Sequence, residues 1–213
     1  MRYRREGGGI SFERVAFFTD AVFAIALTLI VVGIGVPAIT DDHSESELWR
    51  ALGEQRAEFI SFAIGVLVIG FYWTSHHATF EDLAAVDRGY VMRTIPYLAL
   101  VAFLPYPIRL VGTFDANSVA WAVFALNLAA VSSMETVLFA HSWKAGLQAQ
   151  PLSPAEAHRN VVMSMLPVPF FLVSVPLAFV HPLLTGAAWA LTPVAQMFVA
   201  RHRLPDAADP VSG

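Results

Sequence analysis

Cysteine does not occur among the 213 residues. Disulfides and thiolate metal sites are excluded at once. Charge is scarce too, at 14% of residues, where an ordinary soluble domain carries about a quarter. Lys and Arg number 13 against 17 Asp and Glu, a net charge of −4, which offers no basic face for a nucleic acid. No H-E-x-x-H and no set of three well-spaced ligands is found, so no metal site is expected. A T-V-G-Y-G string is missing, and with it the familiar carbonyl-lined ion filter.

What fills the chain instead is apolar: 56% of residues are hydrophobic, gathered into long runs rather than amphipathic stripes. That pattern belongs to a polytopic membrane protein. The expected fold is all-α, with six membrane spans at about residues 17–39, 58–75, 91–110, 118–141, 160–180 and 183–200, and a short tail at 201–213. A run of about 20 residues crosses a hydrocarbon core of about 30 Å. The opening "MRYRREGGG" imitates a signal peptide, but Ala21 to Ile39 is 19 residues, too long for a signal h-region, so a retained first helix is expected. Only His181 and Pro182 separate the last two spans, which demands an antiparallel hairpin.

The cations orient the chain. With both termini cytoplasmic, 10 of the 13 basic residues lie inside (Arg2, Arg4, Arg5, Arg14, Arg88, Arg93, Lys144, Arg159, Arg201 and Arg203). Arg50, Arg56 and Arg109 lie outside, in accord with the positive-inside rule. The first outer loop, "DDHSESELWRALGEQRAEF", reads as a short amphipathic helix on the membrane surface, or as a solvated loop whose acidity gathers cations.

On the first helix, Arg14, Phe18, Ala21, Ile25, Thr28, Val32 and Gly35 share one face, flanked by Leu29. Such a seam fits packing around an axis with copies of itself, or packing on other helices of the same chain with Thr28 bonded to its own backbone. Asp20 near the start of this span is costly unless paired or hydrated. Its candidate partners are Arg14, Thr19 and the second span's "FYWTSHHATF", with Trp73, His76 and His77. The two histidines point about 100° apart on a helix and do not readily chelate one ion together. Glu135, within the fourth span, is the other intramembrane charge. Pro96, Pro105, Pro107, Pro167, Pro169, Pro176 and Pro193 predict kinks in the third, fifth and sixth spans.

Arg14, Phe18, Thr19 and Asp20 form R-x-x-x-F-T-D, followed by "AVFAIALTLIV". This resembles the first-helix signature of the transmembrane protein 175 family, the lysosomal potassium channel and its prokaryotic relatives, in which serine is usual where Thr19 stands. "FYWTSHHATF" is similar to that family's W-x-x-H-H-x-x-F, "FLPYPIRLVG" (103–112) to its L-P-F-P segment, and "ALNLAAVSSMETVLFAHSW" (125–143) to its fourth helix. The resemblance covers the first four spans and reaches the last two through topology alone. It implies a potassium-selective channel of the plasma membrane, a homotetramer in the bilayer that conducts monovalent cations and needs no cofactor. It also implies that the first helices line the pore, with Ile25 as the constriction, Leu29 and Val32 above it, and Thr28 as the selectivity layer. Arg14, Thr19, Asp20, Trp73 and His77 match polar positions that tie the first two helices together.

Two other classes compete. A proton- or cation-coupled secondary transporter would use Asp20, Glu135 and the proline-broken helices, although no internal repeat is visible. A membrane-embedded hydrolase would need His76, His77, His141 and Asp20 to form a nucleophile–base set, for which no signature is present.

Overall fold

The structure, a computed structural model, describes residues 2–4 and 10–201. Beyond Arg201 the predicted tail lies outside the described residues, as do Arg5 and Arg203 of the charge count. The chain folds into nine described helices: α1 (Ile10–Val32), α2 (Glu45–Glu54), α3 (Arg56–Glu81), α4 (Arg88–Phe103), α5 (Pro105–Thr113), α6 (Ser118–Lys144), α7 (Pro154–Met165), α8 (Pro167–Val180) and α9 (Pro182–Arg201).

Five segments are long and apolar enough to cross a membrane: Phe12–Val32, Arg56–Glu81, Arg88–Thr113, Ser118–Lys144 and Pro154–Val180. The protein is a multi-pass membrane protein. The sixth expected span falls on α9, where several side chains lie outside the described residues. The α8–α9 hairpin forms as its short turn requires. The Trp189 indole N–H donates to Ser174 Oγ at 2.9 Å, joining residues almost equidistant from His181.

Two expectations need correction. The first span does not run to residue 39; α1 ends at Val32. Gly33, Gly35 and Pro37 follow in quick succession and remove the side-chain restriction and the amide that would carry a helix on. Gly35 is therefore outside the seam, and its carbonyl accepts a bond from Gln55 Nε2 at 2.7 Å. Nor is the chain wholly helical. Residues Arg2–Arg4 (β1) and Ala85–Asp87 (β2) pair antiparallel, Tyr3 opposite Val86, so two short extended segments satisfy each other's backbone groups. The third and fifth spans are interrupted where kinks were expected, each dividing into two helices at Leu104 and Leu166, the residues before Pro105 and Pro167.

The break at Leu104 shows how a membrane segment tolerates proline. Pro105 has no amide to give Val101, and the Leu104 amide turns back to the Val101 carbonyl at 3.0 Å. The Leu100 carbonyl is thereby freed, and Asn127 Nδ2 of α6 donates to it at 3.3 Å. A backbone group opened by proline is thus closed by a neighbouring helix, which lipid cannot do.

Helix α1 packs on α3 and α4, α5 on α3, and α4 on α6; α6 in turn carries α7, α8 and α9. The core runs through Phe23, Tyr97, Val101, Phe124, Leu128 and Val131. Small residues let the helices approach, as is usual between membrane helices. Gly65 of α3 faces Ile30 and Ile108, and Gly112 of α5 faces Ser61. The acidic outer loop forms α2, capped by Ser44, whose hydroxyl accepts the Glu47 amide. The Glu47 carboxylate accepts the Thr40 and Asp41 amides, which hold it below the usual carboxylate range.

At the start of α4, Asp87 caps the helix by accepting the Tyr90 amide at 2.7 Å and lies 2.9 Å from His141 Nε2. Burial opposes ionisation of Asp87, but the His141 ring and the Tyr90 amide outweigh it and hold the carboxyl below its ordinary value. A carboxyl lowered by folding stabilises the fold at pH values above the unfolded pKa, about 3.9, and loses that contribution as pH falls through the folded value. Thermal unfolding of wild type and Asp87→Asn is therefore expected to show a gap in midpoint at pH 7 that narrows below pH about 4. A gap of constant size would contradict this assignment.

Candidate functional site: the outer face of the first helix

The sequence of α1 divides it into two faces. Phe12, Thr19, Phe23, Ala26 and Ile30 recur at helical spacing and are buried against α3 and α4, Phe23 at 2% and Ala26 at 0% exposure. The seam lies nearly opposite, because residues two apart on a helix differ by about 200°. Ile25 is 58% exposed and Val32 75%. Phe18, Ala21, Thr28 and Leu29 are exposed as well. The seam therefore does not pack on other helices of its own chain. An apolar stripe of a membrane helix is left without protein cover.

Thr28 sits within this stripe. Its Oγ1 donates to the Ile25 carbonyl at 2.9 Å. With the hydroxyl proton committed to the backbone, the oxygen presents its lone pairs outward. The site thus offers an oxygen acceptor flanked above and below by alkyl side chains.

About two turns before Thr28, near the middle of α1, Asp20 Oδ1 accepts the Trp73 indole N–H at 3.0 Å. Trp73 stacks on His77, with ring centroids 5.3 Å apart and planes at 19°. His77 Nε2 stands 3.4 Å from Glu81 Oε1. Asp20, Trp73, His77 and Glu81 thus form a continuous chain from α1 along α3. Thr19 is buried and donates to the Val15 carbonyl at 2.9 Å, so it binds its own helix and not Asp20. His76 also leaves the cluster. It is buried and stacked on Tyr97, with centroids 5.0 Å apart, and flanked by Phe23 and Phe80. The two histidines diverge as neighbouring helical positions must. Arg14 is exposed and contributes no bond to Asp20 among the described residues. A cavity of about 270 Å³ lies beside the cluster, lined by Glu13, Thr19, Asp20, His76, His77 and Glu81 among others.

Glu81 was not anticipated, although its i,i+4 spacing from His77 is a readable signal. Tyr97 carried no signal, because only tertiary packing brings α4 against His76. His141 pairs with Asp87 near the ends of α4 and α6, apart from the Asp20 chain, so the residues of a hydrolase do not converge. Glu135 lies elsewhere again, in a cleft between α3 and α6.

Residues 14–105 match the family model described as "Endosomal/lysosomal potassium channel TMEM175". A potassium channel of Streptomyces collinus is 34% identical over 186 residues, covering 84% of this chain and 87% of that one. A potassium channel of Chamaesiphon minutus is 30% identical over 155 residues, covering 70% and 72%. The fold resembles the crystal structure of a lysosomal potassium-selective channel TMEM175 homolog from Chamaesiphon minutus, with a TM-score of 0.71, 24% identity, and 89% and 96% of the two chains covered. These matches include the R-x-x-x-F-T-D helix, its partner on α3 and most of the length of a relative, and the chain therefore belongs to the TMEM175 potassium-channel family, a family of ion channels rather than enzymes.

Proposed function

We propose that this protein is a potassium-selective channel, a homotetramer whose pore is lined by four copies of α1. The observation that carries the reading is the uncovered seam, Ile25, Thr28, Leu29 and Val32 exposed on a helix whose opposite face is fully packed. Lipid accepts such a face, but the outward lone pairs of the Thr28 oxygen gain nothing there. Fourfold assembly gives it a use.

The carbonyls of an intact helix are spent on its own hydrogen bonds, so side chains alone face the ion. Four Thr28 oxygens replace part of a cation's hydration shell. Four Ile25 side chains, with Leu29 and Val32 above, form a hydrophobic neck that empties of water when narrow and conducts when dilated. The Asp20–Trp73 bond fixes α1 against α3 and so sets the radius at the neck. Potassium is the permeant ion, and no cofactor takes part. The channel lies in the plasma membrane with both termini cytoplasmic, an orientation supported by the 10 to 3 division of Lys and Arg.

The test is ion flux from liposomes holding purified protein, potassium against sodium, for wild type and Thr28→Ala. Downhill potassium flux without a coupling ion is expected, and the preference over sodium should fall several-fold in the variant. Flux that requires a proton or sodium gradient would instead favour a transporter working through Asp20 and Glu135.

A further inference from the structure

The largest cavity described is remote from the seam. It is a cleft of about 670 Å³ between α3 on one side and α6, α7, α8 and α9 on the other. Tyr72 bridges its floor, 2.7 Å from Ser132 Oγ. Along α3 and the residue that caps its end the lining runs from Leu67 to Asp82, about 22 Å at helical rise. Leu67 and Phe71 at its edge are largely exposed, so the cleft opens sideways toward the bilayer.

Its chemistry is lopsided. Glu135 and Asp82 line it, and no Lys, Arg or His does among the described residues. Glu135 Oε1 is buried and makes no hydrogen bond among the described residues, and Ser75 lines the same cleft. Thr192 lines the same cleft, is 8% exposed, and its Oγ1 is equally unpartnered. A buried carboxyl oxygen without a donor is costly in a membrane, and in a binding site it marks where a ligand donor belongs. The aromatic residues Tyr72, Phe139, Phe171 and Trp189 line the same cleft, and aromatic rings attract a cation over their faces. The size matches that of small-molecule sites, which run to about 1,000 Å³ with a few convergent polar groups in an apolar wall.

We propose that this cleft binds an amphiphilic amine, with the ammonium head at Glu135 and the apolar body lying along α3 toward Leu67. Acidic lining without any cation selects against carboxylate and phosphate heads. The sideways opening admits a ligand already dissolved in the bilayer. The site is independent of the pore reading, since it shares no residue with the α1 seam.

The experiment is native mass spectrometry of the full-length protein in neutral detergent, with dodecylamine, dodecanol and dodecanoate as probes sharing one chain length. One amine per chain is expected, bound at least about tenfold more tightly than the other two, the effect of one hydrogen bond to a charged group. Glu135→Gln should bring the amine to the level of the alcohol, and Ser75→Trp, which fills the cleft, should exclude all three. Equal binding of the three heads, full amine affinity in Glu135→Gln, or an assembled oligomer that binds no amine because a second copy covers the cleft would each overturn the proposal. Should Glu135→Gln not elute as folded protein, the head-group contrast and Ser75→Trp decide between the same outcomes.

Discussion

Ile25→Asn is expected to raise the resting potassium leak of reconstituted protein by about tenfold or more. A narrow alkyl neck holds ions back because water inside it lacks hydrogen-bond partners and leaves. In the proposed tetramer, four asparagines would supply donors and acceptors at the same radius, and the neck would stay wet. A gain of about 1.4 kcal/mol in the free energy of the wetted state already corresponds to tenfold. Ile25→Leu keeps the apolar character and should stay close to wild type. The pair separates polarity from size. Single-channel or liposome flux records reveal the difference directly, and equal leak in wild type and Ile25→Asn would remove Ile25 from the constriction. Ile25 is 58% exposed in the single chain, so this substitution should leave the fold of the protomer unchanged.

The second large effect concerns the frame that holds α1. Gly65→Leu is expected to destabilise the protein by about 3 kcal/mol or to prevent its assembly. A Cβ at Gly65 would lie 2.9 Å from Ile30 Cδ1 and 3.0 Å from Ile108 Cγ2, at the point where α1, α3 and α5 meet. Alanine there should already lower stability, by roughly 1 kcal/mol, because both Ile30 and Ile108 must give way. Gly70, one and a half turns along the same helix, has no atom within 4 Å of a built Cβ. Gly70→Ala should therefore stabilise by about 0.5–1 kcal/mol through helix propensity alone. Thermal unfolding of the purified protein gives both signs. A destabilisation of 3 kcal/mol corresponds to roughly 6–12 °C in a chain of this size, and matched midpoints for Gly65→Ala and Gly70→Ala would show that the close approach at Gly65 does not bear on stability.

Much of this protein is legible from one dimension because the bilayer restricts what a chain can do. Every apolar run of about 20 residues must become a helix, since lipid satisfies no backbone group. Each of the five segments long and apolar enough to cross a membrane overlaps an expected span, with different ends. The α1 seam follows from helical periodicity, and the Asp20–Trp73 contact from the cost of an unpaired carboxylate together with the few polar side chains near it. Helix ends were less legible, because hydrophobicity does not register the run of Gly33, Gly35 and Pro37 that stops α1.

Other features belong to the third dimension. That the seam is bare and the opposite stripe covered is decided by where α3 and α4 lie. His76 and His77 are chemically identical neighbours, yet one is enclosed by Phe23, Phe80 and Tyr97 while the other stacks on Trp73. No periodicity places Tyr97 beside a residue 21 positions earlier. The same holds for Asn127, whose value lies in a carbonyl that Pro105 set free on another helix. Glu135 is the sharpest case. Its sequence context marks it only as a charge within a span, and the cleft around it exists because α3 stands off from α6, α7 and α8. Membrane physics acts locally along the chain and so can be read there; packing joins residues distant in sequence, and only the folded molecule brings them together.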